Sequence, residues 1–328
     1  MPVDTPAPLV KRQAPWKLAL NISLPVILLA IFAWQFRKNW PAIHQHHWHI
    51  DWEMGLLSLF LMLLNSLFEI LIWNKTLSWF TEPLSFYKMT PVYIWSSLAR
   101  YIPGKVASLA VRAALGVEAG TEVIPVLASS TVELALRIAA SLIIGLLIFI
   151  APGTYAVRIL MKCAIVIIPL VLICAHPKIM MPVMNWALKK IKQVPISKPL
   201  SYGDVLLVLA ASLLRWGLYG LAYILLVRSV CGGAWSNVPE LLGTGPAAWC
   251  AGFLGMSPGG LGWSEEVQLT ILSNVLHLEI ALATVIPALF RLESLLAEGL
   301  WALAAVFMRK TWDHAQNVPA PTNAVAKD

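Results

Sequence analysis

The sequence predicts an all-α polytopic membrane protein, with six spanning helices and two re-entrant helical hairpins arranged as an inverted repeat. Composition is the first reason: 59% of the 328 residues are hydrophobic, 12% are charged, and the mean hydropathy is +0.73. Soluble domains carry about 25% charged residues, so lipid must cover part of this apolar surface. The second reason is that apolar residues form stretches of spanning length, and the third is that Pro and Gly split two further apolar regions.

Six apolar stretches are close to the length that a helix needs to cross the hydrocarbon core, about 20 residues. They lie at 18–36, 54–73, 123–150, 157–175, 205–230 and 281–307. The first stretch is too long for the apolar part of a signal peptide, and no small-residue cleavage site follows it. We therefore predict that all six are spanning helices.

Basic residues flank the predicted spans unequally. Those on one side of the membrane are Lys11, Arg12, Lys17, Lys75, Lys88, Lys178, Lys189, Lys190, Lys192, Lys198, Arg309 and Lys310. The other side holds little beyond Arg37, Lys38, Arg158 and Arg228. Because cytoplasmic loops carry the excess of Lys and Arg, we expect both termini in the cytoplasm. Topology and anionic lipid then explain the formal net charge of +7, and nucleic acid is not expected as a partner.

Two more apolar regions, 91–116 and 239–276, do not fit as spans. A Pro-Gly pair at 103–104 interrupts the first and a Pro-Gly-Gly run at 258–260 the second, and such residues break helices. A full crossing by either region would also end the alternation of basic residues between the two sides. We therefore predict two hairpins that each enter and leave on one face, the first cytoplasmic and the second external.

With these hairpins the chain divides into two halves of the same pattern: span, span, hairpin, span. We expect a cytoplasmic segment at 1–17, followed by the first repeat at 18–150 and the second repeat at 151–310. A disordered cytoplasmic tail is expected at 311–328. Since the first repeat starts in the cytoplasm and the second outside, the two are inverted. Inverted repeats are common in transporters and place the substrate site between them, near the middle of the bilayer.

The first hairpin carries the cationic residues Arg100, Lys105 and Arg112. A broken helix exposes backbone N–H groups and a positive dipole end, which suit an anion such as phosphate, and guanidinium groups bind phosphate oxygens in pairs. The alternative is that all three are ordinary cytoplasmic charges in contact with lipid headgroups. We expect an anion site, because cations inside an apolar hairpin are costly.

The second hairpin is rich in glycine. Gly259 and Gly260 permit positive φ angles and a close approach of the backbone to a ligand. Ser264, Glu265 and Glu266 follow. Either they form a helix N-cap with acidic residues in the first turn, or one carboxylate faces the cavity and pairs with an arginine. The pattern leaves both alternatives open.

Ionisable residues within the predicted spans are costly unless they face the interior. Glu133 and Arg137 are four residues apart and can pair on one helix face, and Arg215 lies in the fifth span. Glu133 and Arg291 occupy similar places after the two hairpins, so we expect them to form a charge pair in the cavity. The alternative is a set of purely structural ion pairs. Further charges in the spans are Glu69, Glu293 and Glu298.

Motifs in a context that supports catalysis or a cofactor are missing. The sequence has no GxxxxGK[ST] loop for ATP. The run Gly255-Met256-Ser257-Pro258-Gly259 has the GxSxG spacing, but it lies inside an apolar region and not in the strand-to-helix turn that presents such a nucleophile. The histidine-rich run at 44–49 has no fixed metal-ligand geometry. The four cysteines lie in or next to apolar runs, which indicates buried thiols and not a zinc site. We therefore expect no metal, no cofactor and no enzymatic activity.

A series of short motifs occurs in order over nearly all of 18–310. They are Ile50-Asp51-Trp52, Pro103-Gly104-Lys105, Arg112-Ala113-Ala114-Leu115, Glu133, Pro258-Gly259-Gly260-Leu261-Gly262, then Glu265 or Glu266, and Arg291. In these motifs the chain resembles the flippase-like membrane domain of lysylphosphatidylglycerol synthetases and its stand-alone bacterial and archaeal relatives. We expect a stand-alone member without the aminoacyl-transferase domain, so the resemblance does not imply lysine transfer.

The chain departs from that family at one motif. A Gly-Trp-Ser-Glu-Glu run stands at 262–266, where relatives often have Gly-Val-x-Glu. Either Glu265 or Glu266 could therefore correspond to the single glutamate of the family motif, and the sequence leaves this open. The Arg-Tyr-Ile-Pro-Gly run at 100–104 also resembles the signature of a small membrane family linked to the recycling of lipid carriers. That second family does not account for the later half of the chain.

The resemblance implies a lipid flippase of the bacterial cytoplasmic (inner) membrane. Its substrate would be a phosphate-headed lipid, either a glycosylated or free polyprenyl phosphate or a modified phospholipid. We expect movement by alternating access, with the cations of the first hairpin receiving the phosphate and the tails staying in lipid through a lateral opening. The alternative is an integral-membrane lipid-phosphate enzyme, a phosphatase or transferase, with a nucleophile among Ser108, Ser257 and Ser264. The sequence leaves open the lipid, the coupling ion and a homo-oligomer.

Overall fold

The computed structural model describes residues 37–46, 50–101, 107–150, 176–190, 200–232, 237–255 and 258–317, with isolated positions at 34, 48 and between 166 and 174. All regular secondary structure in these residues is helical. The predicted spans at 18–36 and 157–175 lie almost wholly outside the described residues.

The described residues form the helices α1 (Trp40–Gln45), α2 (Trp52–Leu77), α3 (Phe86–Leu98), α4 (Ala107–Glu118), α5 (Val123–Gly145), α6 (Pro177–Lys190), α7 (Tyr202–Cys231), α8 (Val238–Leu254), α9 (Trp263–Thr270) and α10 (Ile280–Asn317). Short 3₁₀ turns lie at Ala99–Tyr101, Leu146–Ile150 and Pro258–Gly260, and a π-helical turn, Ile271–Val275, follows α9. The last helix continues to Asn317, into the segment 311–328 in which a disordered tail is expected.

Four helices are long and apolar enough to cross a membrane. By length and composition they are Trp52–Leu77, Val123–Ile148, Tyr202–Cys231 and Ile280–Thr311. They coincide within a few residues with the predicted stretches at 54–73, 123–150, 205–230 and 281–307. Four of the six predicted spans are therefore helices of spanning length.

The outward faces of these long helices are apolar. In α2, Trp52, Leu56 and Phe60 recur every four residues and are 72%, 65% and 58% exposed. In α10, Leu303 and Phe307 are exposed in the same way. Contiguous apolar patches of this kind are rare on soluble monomers, so these faces are suited to contact with lipid.

The start of α2 is fixed by a capping residue. The Asp51 carboxylate accepts hydrogen bonds from the backbone N–H groups of Glu53 and Met54, at 3.0 and 3.2 Å, which satisfies donors that a helix leaves unpaired at its first turn. The Asp51 N–H in turn donates to the carbonyl of Ser229 at 2.8 Å. This contact ties the start of α2 to the end of α7.

Glycine allows α7 and α8 to approach closely. A Cβ atom on Gly220 of α7 would lie 2.3 Å from the carbonyl oxygen of Leu242 in α8. A Cβ atom on Gly243 would lie 2.9 Å from the backbone nitrogen of Ile148. Only hydrogen fits in these spaces, so α8 packs between α7 and the end of α5 at backbone distance.

Each predicted hairpin is a pair of helices that pack against each other. The first pair, α3 and α4, covers 86–118, and the second, α8 and α9, starts at 238. The second pair is broken where Gly259, Gly260 and Gly262 adopt φ angles of 61°, 73° and 84°, a region that side chains with a Cβ disfavour. The predicted positive φ angles at Gly259 and Gly260 are thus confirmed.

Candidate functional site

A cavity of about 460 Å³ is lined by Arg100 and Ser108, which flank the first helix break, and by Gly259 and Gly260 of the second. Its wall comes from α2, α3, α4, α5, α7, α8, α9 and α10. The charged residues that line it are Arg100, Arg112, Arg137, Arg215, Arg291, Glu69, Glu133 and Glu298. Five arginines thus face three glutamates inside a bundle with an apolar exterior.

Glu133 lies at the centre of the largest ion-pair cluster. One of its oxygens accepts from Arg112 Nη1 at 3.1 Å, and the other accepts from Arg137. Arg112 Nε donates to Ser96 Oγ at 2.9 Å, and Arg137 donates to the Tyr93 hydroxyl. Because Arg112 and Glu133 are only 7% and 4% exposed, this cluster is held by charge in a largely dry environment.

The second cluster joins α2 to α7. Arg215 Nη1 donates to Glu69 Oε1 at 2.7 Å and to Asn65 Oδ1 at 3.3 Å. The same glutamate oxygen is 3.8 Å from Arg137 Nη1, which links this cluster to the first. Arg215 Nη2 is buried and has no hydrogen-bond partner among the described residues. Both N–H donors of this nitrogen are therefore buried without a partner in the described part of the protein.

The two helix breaks meet at the cavity. Arg100 pairs with Glu298 of α10, and the Tyr101 hydroxyl donates to the other oxygen of that carboxylate at 3.1 Å. The Tyr101 ring packs against Gly259, where a Cβ atom would lie 2.4 Å from the ring. A glycine is required here both by its φ angle and by the close approach of this ring.

Arg291 is held by the second helix break. Its Nε donates to Glu265 Oε1 at 2.6 Å and its Nη1 donates to the Gly259 carbonyl at 3.1 Å. The second Glu265 oxygen accepts from the Gly262 N–H at 2.8 Å. Glu265 therefore serves both alternatives that the sequence left open: it stabilises the first turn of α9 and it pairs with a cavity arginine.

Aromatic rings lie within 6 Å of four cavity arginines, Arg100, Arg112, Arg137 and Arg215, and two of these contacts are close. The Arg112 guanidinium lies 4.3 Å from the centroid of the Tyr93 ring, and the Arg215 guanidinium lies 3.9 Å from that of Trp216. Planar guanidinium groups stack favourably on aromatic faces. The stacking orients these cations without using their N–H donors.

Most of the predicted site residues come together. Arg100, Arg112, Glu133, Arg137, Arg215, Gly259, Gly260 and Arg291 line the cavity, and Glu265 contacts it through Arg291. Glu266 is not among the lining residues, and Lys105 lies outside the described residues.

One expectation and one of the alternatives left open by the sequence need correction. Glu133 and Arg291 do not form a pair: Glu133 is taken by arginines of α4 and α5, and Arg291 by a carboxylate of the neighbouring α9. Ser264 is not an N-cap, because α9 starts at Trp263 and Gly262 occupies the capping position.

Sequence reasoning left Glu69, Glu298, Tyr93 and Tyr101 out of the site. The sequence does contain a signal for each of the two glutamates. Glu69 is the only acidic residue in the stretch 54–73, and Glu298 is seven residues after Arg291, hence on the same helix face. For the tyrosines no pattern along the chain gave the signal, since Tyr93 lines the cavity from α3 and Tyr101, in the turn that follows, contacts the cavity residue Glu298.

Ser108 and Ser264 are hydroxyl groups in the cavity wall, whereas no histidine lies in the described part of that wall. A serine nucleophile needs a base to activate it.

No protein-family model matches the chain, and no curated protein matches it.

Proposed function

We propose that this protein is a lipid flippase of the bacterial cytoplasmic membrane that moves a phosphate-headed lipid between leaflets by alternating access. In this proposal six helices span the bilayer, the two broken helix pairs are re-entrant, and both termini lie in the cytoplasm. The head group passes through the central cavity while the tails remain in the bilayer. The family resemblance of the sequence motifs points to the same class of protein.

The excess of arginine over glutamate in the cavity carries the proposal. Five guanidinium groups and three carboxylates leave the wall positively charged, and counting Glu265 still leaves one arginine in excess. Uncompensated cations in a bundle that lipid surrounds are costly. An anion that binds there lowers this cost, and phosphate oxygens match guanidinium donors in geometry and charge.

The apolar exterior supports a lipid as the source of that phosphate. A cavity of about 460 Å³ falls in the size range of small-molecule sites and accommodates a head group. Long acyl or prenyl tails exceed that volume. Outward faces such as that of α2, with Trp52, Leu56 and Phe60 exposed, provide a surface along which tails can move in the bilayer.

The ion pairs supply a mechanism in which partners exchange. An incoming phosphate competes with Glu133 for Arg112 and Arg137, and Arg215 also lines the cavity that the phosphate enters. The displaced carboxylates stay close enough to reclaim the arginines when the head group leaves. In each exchange Arg112 and Arg137 trade one anionic partner for another, so neither of them loses its counter-charge.

The repeated order of elements supports two halves that move against each other. A long helix, a broken pair and a second long helix occur as α2 to α5 and again as α7 to α10. The two breaks touch where Tyr101 packs against Gly259. In this proposal that contact separates when the cavity changes the side to which it opens.

The test is leaflet transfer in vesicles. Purified full-length protein is reconstituted in vesicles of phosphatidylethanolamine and phosphatidylglycerol that contain a polyprenyl phosphate, and the exposed phosphate head groups are followed in time. Wild type is expected to transfer the lipid. Arg215→Met is expected to reduce the rate roughly 10- to 100-fold, because a hydrogen bond to a charged group contributes about 1.5–3 kcal/mol.

The matched control is Arg309→Met. Arg309 is exposed, pairs with Glu118 at 2.7 Å and does not line the cavity, so transfer should stay near the wild-type rate. Equal rates for both variants, or no transfer by wild type, would contradict the proposal. Release of inorganic phosphate from the lipid would instead favour the alternative of a lipid-phosphate enzyme.

A further inference from the structure

Glu293 is a buried carboxylate that the cavity does not use. It is 9% exposed, does not line the cavity, and both of its oxygens lack a hydrogen-bond partner among the described residues. It shares one face of α10 with Ile286, Phe290 and Ala297, which are 0%, 2% and 1% exposed and belong to one apolar cluster. An acidic residue therefore interrupts a stripe of core residues.

The neighbouring hydroxyl can serve either form of this carboxylate. Ser58 of α2 lies beside Glu293 and donates to the carbonyl of Ala222 at 2.7 Å. In that orientation the hydroxyl oxygen can accept from a protonated Glu293. If it turned toward Glu293, the hydroxyl would donate to the ionised carboxylate and no longer to the Ala222 carbonyl.

Compensating charge is missing around Glu293 in the part of the chain that the structure describes. The ionisable residues on the elements packed against α10, and in the turn after α3, are Glu53, Glu69 and Lys75 of α2, Tyr87, Lys88 and Tyr93 of α3, Arg100 and Tyr101 of the turn, Tyr202, Asp204, Arg215, Tyr219, Tyr223, Arg228 and Cys231 of α7, Glu265 and Glu266 of α9, and His44 of α1 with His46 directly after that helix. None of them lies within ion-pair distance of Glu293. An isolated carboxylate in an apolar environment is costly when charged and is relieved by taking up a proton.

We propose that Glu293 is a proton-binding site that couples lipid transfer to proton movement. The coupling rests on the proposed function. The same helix carries Arg291 and Glu298 in the cavity wall, so any shift of α10 moves both the lipid site and the proton site. When the shift exposes Glu293 to water on one side, the carboxyl releases its proton there. Water on the other side returns a proton before the helix packs again, which moves one proton per cycle.

The first experiment measures the proton without transport. Difference infrared spectroscopy of the full-length protein in vesicles detects the C=O stretch of protonated carboxyl groups. We expect a band at neutral pH in wild type that is lost in Glu293→Gln. The matched control, Glu279→Gln, changes an exposed carboxylate and should retain the band. A wild-type spectrum identical to that of Glu293→Gln overturns the proton site.

The second experiment measures coupling with polyprenyl phosphate in the same vesicles. Wild-type transfer should change several-fold when a pH gradient is applied, and Glu293→Gln should transfer lipid at a rate that ignores the gradient. Gln resembles the protonated acid in shape, so the variant should fold. If the variant does not fold, the effect of the pH gradient on lipid transfer by wild type decides whether transfer is coupled to protons. Transfer that is independent of the gradient in wild type overturns the coupling but leaves the flippase. An infrared band without any lipid transfer overturns the flippase but leaves the proton site.

Discussion

Replacing Glu133 by Gln perturbs the central cluster most directly. The substitution keeps the shape of the side chain and removes the charge between Arg112 and Arg137. Glu133 is the only carboxylate within 4.0 Å of Arg112 among the described residues, whereas Arg137 keeps Glu69 at 3.8 Å. Removing one partner of a buried ion pair costs about 3–5 kcal/mol, because the remaining charge is left uncompensated. We expect destabilisation in this range and loss of lipid transfer, with insertion into the membrane intact.

The double variant Arg112→Met/Glu133→Gln separates stability from function. It removes both buried charges, and replacing a whole buried pair by neutral residues is often close to neutral in stability. We therefore expect it to recover most of the stability that Glu133→Gln loses. Lipid transfer should stay lost, because the phosphate no longer meets Arg112.

The assay is reversible unfolding in mixed micelles with increasing denaturing detergent, which gives a free energy of unfolding, together with lipid transfer in vesicles. A double variant as unstable as Glu133→Gln would refute the argument that the two charges hold each other. Wild-type transfer by Glu133→Gln and by Arg112→Met would remove the cluster from the lipid site.

Two more substitutions have matched controls on the same helix. Gly220→Ala places a Cβ 2.3 Å from the carbonyl oxygen of Leu242 and should destabilise the protein by about 1–3 kcal/mol through overpacking. The control Gly217→Ala, at a position with open space around it, should stabilise α7 by about 1 kcal/mol. Thermal unfolding in detergent compares the two variants, and equal shifts of the unfolding temperature would contradict the close packing of α7 and α8. Glu265→Gln should lower lipid transfer well below the rate of Glu266→Gln, because Glu265 pairs with the cavity residue Arg291 and Glu266 is not among the residues that line the cavity. The vesicle assay compares the two variants, and the reverse order would contradict a role of Glu265 at the lipid site.

The residues alone determined the helical class, the position of the long helices and most members of the site. Length and hydropathy are properties of a continuous stretch, so 54–73, 123–150, 205–230 and 281–307 could be recognised without a structure. The pair of Glu133 with Arg137 follows from a spacing of four residues, since one turn of a helix places both on the same face.

The tertiary structure decided which charges are partners. Glu298 meets Arg100, 198 positions away, and Arg291 meets Glu265 instead of Glu133. Periodicity fixes the face on which a side chain lies, but the partner depends on how two helices cross and rotate against each other. Glu293 illustrates this, because it is two residues from Arg291 and yet lies among core residues with neither of its oxygens paired in the described part of the protein. Ion pairs act over a few ångströms in space, a distance that spacing along the chain cannot define between separate helices.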